Sequence, residues 1–110
     1  MDKHLFLHIF HIFVVGTLFL YVGIKQTNAP KLLLNSLLPL GIIIVLYHSY
    51  KAYIKYNANT SIWVNLIHIL LVGPLLIYIG YNAENTRRLY FELLLMLGFA
   101  SIGYHGYYLF

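Results

Sequence analysis

The sequence has no cysteine, and among its 110 residues only three are acidic. Without thiols there is no disulfide framework, no thiolate metal ligand and no cysteine nucleophile. With so few carboxylates there is no paired Asp/Glu site for general acid–base work. A Ser-His-Asp set, a phosphate-cradling glycine loop and a potassium-filter sequence are also missing, so neither an enzyme nor an established channel type has a motif to rest on. Long polar stretches are lacking too, which leaves no segment for an extramembrane domain. Basic residues sit singly or in pairs and form no arm, so nucleic acid is not an expected partner.

What fills the chain is apolar. Hydrophobic residues make up 61% of it and charged residues 9%, far from the averages of a soluble domain. They fall into four runs, His4 to Ile24, Leu32 to Tyr50, Ser61 to Tyr81 and Leu89 to Phe110. Each is about the ~20 residues that an α-helix needs to cross a hydrocarbon core. The first run is too long for a signal-peptide core, lacks a small-residue cleavage site near Gly23 and matches a later run, so it is read as a span. The expected class is an all-α, multi-pass integral membrane protein whose partners are the lipid bilayer and further copies of itself. A net charge of +4 suits anionic headgroups.

Sliding the sequence along itself by 57 positions aligns residues 4–53 with 61–110 without a gap, and 16 of these 50 pairs are identical. Leucine matches mean little in such a chain. The others do not come so easily: His11/His68, Gly16/Gly73, Tyr21/Tyr78, Gly23/Gly80, Asn28/Asn85, Gly41/Gly98, Tyr47/Tyr104, His48/His105 and Tyr50/Tyr107. This is the mark of internal duplication. Residues 1–56 form a first hairpin repeat with spans 4–24 and 32–50, and residues 57–110 a second with spans 61–81 and 89–110. Two spans per repeat return the chain to its starting side, so the copies are parallel repeats, and together they are expected to form a four-helix bundle.

Short connections join the spans. Asn28 and Asn85 are expected N-caps for the helices that follow, with Pro30 in the first turn of span two, and Thr60 or Ser61 is the expected cap of span three. Lys3, Lys51 and Lys55 on the terminal side are nearly balanced by Lys25, Lys31, Arg87 and Arg88 on the other, so the positive-inside rule gives only a small bias, toward cytoplasmic hairpin loops. Most tyrosines collect at span ends as interfacial anchors.

At 1.5 Å per residue Gly16 and Gly41 lie ~12–14 Å from the hairpin-loop boundary, which sets them opposite each other at a helix crossing, and Gly73 and Gly98 repeat the device. Pro39 and Pro74 lie within spans, where kinks are expected. Glu92 follows Arg88 by four residues and is expected to pair with it.

The same arithmetic puts His11 and His68 ~20 Å, and His48 and His105 ~24 Å, from the hairpin-loop boundary. One histidine therefore comes from each span into a single layer, with Tyr47 and Tyr104 beside it. Four readings of this layer stand. Imidazole titrates near neutral pH, and polar groups in spans mark pathways, so His11, His48, His68, His105, Tyr47 and Tyr104 can line an ion or proton route. Two of the histidines on facing helices can be axial ligands of heme b. The four histidines can bind a divalent metal such as zinc or copper. Or they hydrogen-bond and hold the bundle together without further chemistry. His4 and His8 extend His11 into a one-face stripe, read as a solvated helix start in preference to an entry path for a cation, and their repeat partners are Ser61 and Asn65. The run is similar to one histidine box of the membrane di-iron oxygenases and desaturases, but the likeness covers eight residues and the further boxes are lacking, so that class is set aside.

Overall fold

A computed structural model describes residues 3–109, and among the described residues it contains helices and turns only. Helix α1 covers residues 3–25, with α-helical stretches Lys3–Phe10 and Gly16–Lys25 on either side of a π-helical turn, His11–Val15. Helix α2 is Lys31–Asn57. Helix α3 covers residues 63–82 and repeats the pattern of α1, with Trp63–Ile67, a π-helical turn at His68–Val72, and Gly73–Asn82. Helix α4 is Arg88–Leu109; its expected last residue, Phe110, lies outside the described residues.

Three helical stretches, His4–Asn28, Lys31–Asn57 and Trp63–Asn85, are long and apolar enough to cross a membrane. At 22 residues α4 has the length, but Arg88, Glu92, His105 and four tyrosines dilute its apolar character. Helix α2 runs seven residues past the expected end at Tyr50. Hydropathy marks only the apolar run, whereas the helix continues through Lys51–Tyr56 until Asn59 adopts a left-handed φ of 59°.

The helices pack in two units, α1 with α4 and α2 with α3. The units therefore do not coincide with the hairpins of sequence, α1–α2 and α3–α4. In the α1–α4 unit Phe19, Val22, Phe91 and Leu94 are buried; in the α2–α3 unit Leu34, Leu37, Val72, Leu75, Leu76 and Ile79 are. Fully burying side chains of this size stabilises by about 1.5–3 kcal/mol each where water is the alternative, but lipid is no less apolar than leucine, so inside a bilayer close packing must supply the adhesion.

Glycines provide that closeness. A Cβ on Gly41 would lie 2.7 Å from the carbonyl oxygen of Gly73, and one on Gly80 would lie 2.2 Å from the backbone nitrogen of Leu38. In the other unit Gly23 meets the backbone of Leu95, Gly16 meets the side chain of Ile102, and Gly98 lies against Phe19 and Leu20. The expected Gly16–Gly41 crossing is thus corrected: Gly41 is paired with Gly73, and Gly16 packs on Ile102. Position along a helix does not fix which neighbouring helix a residue faces.

The turns also differ from expectation. Asn28 and Asn85 close short 3₁₀ turns, Gln26–Asn28 and Ala83–Asn85, and do not cap the next helix. Pro30 precedes α2 as its N-cap residue without a side-chain bond. The Thr60 hydroxyl donates to the carbonyl of Lys55 at the end of α2, and Ile62 precedes α3. At matching positions of the two 3₁₀ turns Gln26 and Ala83 take φ of 55° and 46°, a region where a Cβ is strained. Arg88 pairs with Glu92 at 3.8 Å as expected, and Lys31 pairs with Glu84 at 2.9 Å. Both pairs are exposed and contribute little. The chain remains helical through Pro39 and Pro74. The π-helical turn before Pro74 does not originate from the proline, since α1 has the same turn before Thr17.

Candidate functional site: paired histidines

Each π-helical turn begins with a histidine, and each of these rings is locked in the same way. The Nδ1–H of His11 donates to the carbonyl of Leu7 at 2.8 Å, and that of His68 donates to the carbonyl of Val64, also at 2.8 Å. A carbonyl can only accept, so Nδ1 carries the proton in both neutral rings and Nε2 is the basic nitrogen.

A second histidine stacks on each. In the α1–α4 unit the His11 and His105 rings lie 4.3 Å apart between centroids, with 25° between their planes. In the α2–α3 unit His48 and His68 lie 3.9 Å apart at 15°. His105 is 6% exposed, and the other three are half-buried. The structure thus brings together two pairs of the four expected histidines. The tyrosines behave as neighbours in sequence: Tyr47 sits edge-on to His48 at 5.2 Å, and Tyr104 edge-on to His105 at 5.0 Å. Tyr47 is half exposed and lies under the Lys51 ammonium, 5.9 Å from its ring centre.

The spacing argument missed three contributors. His8, read as part of a solvated helix start, has its Nδ1 2.9 Å from Nδ1 of His105, a hydrogen bond in which one ring donates and the other accepts. Its ring also stacks with that of Tyr108, 6.3 Å away. In the other unit Asn65 holds the corresponding place, with its Oδ1 accepting from Nδ1 of His48 at 2.9 Å. Asn65 is 3% exposed, and its Nδ2 has no hydrogen-bond partner; a buried orphan of this kind costs about 1–3 kcal/mol. Finally, the Ser101 hydroxyl donates to the carbonyl of His11 at 3.2 Å. A signal for two of them was present in the sequence. The repeat alignment sets His8 over Asn65, each three residues before the shared histidine and so on its helix face.

The geometry weighs on the cofactor readings. Axial ligation of heme needs two imidazole nitrogens pointing at one iron from opposite sides of the macrocycle. Here the paired rings present faces to each other. A flat ring inserted between them would need about 3.5–4.0 Å on each side, roughly 7–8 Å in all, against centroid spacings of 4.3 and 3.9 Å. Among the described residues there is also no group of three or more His, Cys, Asp or Glu side chains arranged to hold a metal ion. What each pair does offer is imidazole in contact with imidazole, with one nitrogen anchored and the other able to gain or lose a proton.

No protein-family model matches this chain, and comparison with curated proteins and with solved structures finds no match. The chemistry of the site therefore has to be argued from its own residues.

Proposed function

We propose that this chain is a four-span integral membrane protein, formed by tandem duplication of a helical hairpin, whose paired histidines carry protons across the bilayer. The observation that carries this reading is the imidazole chain at the π-helical turns: His8 bonded to His105, His105 stacked on His11, and His48 stacked on His68. Imidazole can accept a proton at one ring nitrogen and donate one from the other, and it is the side chain whose ordinary pKa, about 6.5, lies nearest neutrality. Ionisable side chains inside spans are costly and mark pathways where they occur.

Duplication is supported by shared local structure as well as by identities. The π-helical turns, the 3₁₀ turns, the positive φ of Gln26 and Ala83 and the histidine-to-carbonyl bonds recur at the offset that aligns the two halves of the sequence. Helix α4 is taken as the fourth span because it packs along α1, which is apolar enough to cross, and its length matches.

The test is proton flux into liposomes holding the purified protein, driven by a potassium diffusion potential and read with an entrapped pH dye. Flux is expected to rise as the pH falls through the histidine range and to be lost when His11 and His68 are both replaced by alanine. A wild-type trace no different from empty liposomes at every pH would leave these histidines as clasps between helices. An absorbance spectrum of the same preparation checks the heme reading, which requires a Soret band.

A further inference from the structure

The two units are built alike but differ in how one contact answers acid. His8 and Asn65 hold matching positions of the repeat, and each is hydrogen-bonded at 2.9 Å to the histidine of the helix it packs on, His8 to His105 and Asn65 to His48. Oδ1 of Asn65 accepts from the Nδ1–H of His48. A proton added to that ring goes to Nε2, so the bond survives and becomes charge-assisted. Between His8 and His105 the bond joins Nδ1 to Nδ1, so one of these two nitrogens has to be without a proton. One proton added at an Nε2 leaves that condition met. With both rings protonated every nitrogen carries a hydrogen, neither ring can accept, and two cations face each other across the contact. The titratable groups set against the pair are His4 and His11 on α1 and Tyr104 and Tyr108 on α4. Each is neutral or positive between about pH 5 and 8, so none of them offsets a second charge on the pair. Both units contain a stacked histidine pair, His11 on His105 and His68 on His48; the Nδ1–Nδ1 bond is what distinguishes them. His8 also lines a cleft of about 180 Å³ with His4, Leu5, Tyr108 and Leu109, a space large enough for water, so protons have access to the bond.

We propose that His8 and His105 form an acid-released latch between the start of α1 and the end of α4, and that the α2–α3 unit, with Asn65 in place of the first imidazole, lacks this release. The latch is closed while the pair is neutral or carries one added proton. When both rings are protonated the bond is lost, and the start of α1 parts from the end of α4. Histidine clusters at contacts respond to acid in this way because imidazole changes charge between about pH 5 and 8. Only protons bind and leave, so a return to neutral pH closes the latch again. The latch operates whether or not protons cross the bilayer, and it stands apart from the transport reading.

The chain has no cysteine, so pairs of spin labels can be placed on it without background. Leu5→Cys with Leu109→Cys reports on the latch, since both residues line the cleft. Ile62→Cys with Ala52→Cys marks the matching positions of the other unit. Electron paramagnetic resonance of the labelled full chain in liposomes reads the dipolar coupling within each pair. Coupling in the first pair is expected at about pH 8, to be lost at about pH 5 and to return when the pH is raised; coupling in the second pair is expected to be the same at both. In His8→Asn protein the amide can accept from His105 as Asn65 does from His48, and the first pair is expected to stay coupled at both pH values. In His8→Ala protein, which has no bond to His105, it is expected to be uncoupled at both. Helical circular dichroism on each variant shows that it is folded. Coupling in the first pair that does not change with pH overturns the latch. So does folded His8→Asn protein that loses the coupling in acid as wild type does, and so does a second pair that responds as the first. Absence of proton flux in the liposome assay removes the transport reading alone, so the two failures are distinguishable.

Discussion

Replacing Gly80 by alanine tests whether backbone contact between helices holds the α2–α3 unit together. The added Cβ would lie 2.2 Å from the backbone nitrogen of Leu38 and 2.7 Å from its Cα and Cβ. Those atoms belong to a helix and cannot rotate aside, so the helices must separate by roughly 1 Å to reach ordinary contact distance. Forcing a methyl group into packed structure costs about 1–3 kcal/mol, and a clash against backbone belongs at the upper end. Alanine returns up to ~1 kcal/mol through its better helix propensity, which leaves a net loss of about 2 kcal/mol. Gly103 is the internal control: a Cβ there meets nothing within 4 Å, so only the propensity acts and Gly103→Ala is expected to stabilise by up to ~1 kcal/mol. Gly16→Ala belongs between them, since its obstacle is the Ile102 side chain at 2.6 Å, which can change rotamer. Thermal unfolding of the purified variants in one detergent, followed by circular dichroism, ranks them. Gly80→Ala protein as stable as wild type, or Gly103→Ala protein the weaker of the two, would refute the packing argument.

Two further variants probe the polar contacts and the turns. His48→Leu removes the partner of Asn65 and leaves both polar atoms of a buried amide unmet, an expected loss of about 2–3 kcal/mol; adding Asn65→Leu should recover at least ~1 kcal/mol by removing the orphan. A double-mutant cycle in detergent-solubilised protein measures this coupling, and additive losses would show that the bond contributes nothing. Ala83→Gly relieves a φ of 46° and is expected to stabilise by about 1 kcal/mol, checked by its melting temperature.

The helices were legible in the sequence because length of apolar run is a strong signal, and three of the four runs correspond to helical stretches long and apolar enough to cross a membrane. The partnering of helices was not. Gly16, Gly41, Gly73 and Gly98 fall at similar distances along their apolar runs, but distance along a helix says nothing of azimuth, and runs apolar on every side carry no amphipathic face to tell the inside of a helix from its outside. The cap readings failed for a related reason. Asn28 and Asn85 favour turns as much as caps, and the positive φ of Gln26 and Ala83, residues without any preference for it, gave no warning that a 3₁₀ turn intervenes. Four histidines were picked out by type and spacing, whereas His8 and its repeat partner Asn65 were left outside the layer because they differ from each other. Their importance lies in the geometry they share, which identity counting cannot register.

The π-helical turns tie these features together. In each, the N–H of the following glycine reaches back five residues, from Gly16 to the carbonyl of His11 and from Gly73 to that of His68. A Cβ on either glycine would come within 3.3 Å and 3.0 Å of that same carbonyl, so a side chain there is crowded twice, by the turn within its own helix and by the neighbouring helix packed on it. A π-helical turn inserts one residue into the α-helical register and so rotates the stretch before it relative to the stretch after it. In α1 Val22 is buried in its unit, and His8 and His11 both meet His105 on the same partner helix. The glycine after each histidine is therefore part of the site as well as of the packing, which connects the stability of the unit to the placement of its imidazoles.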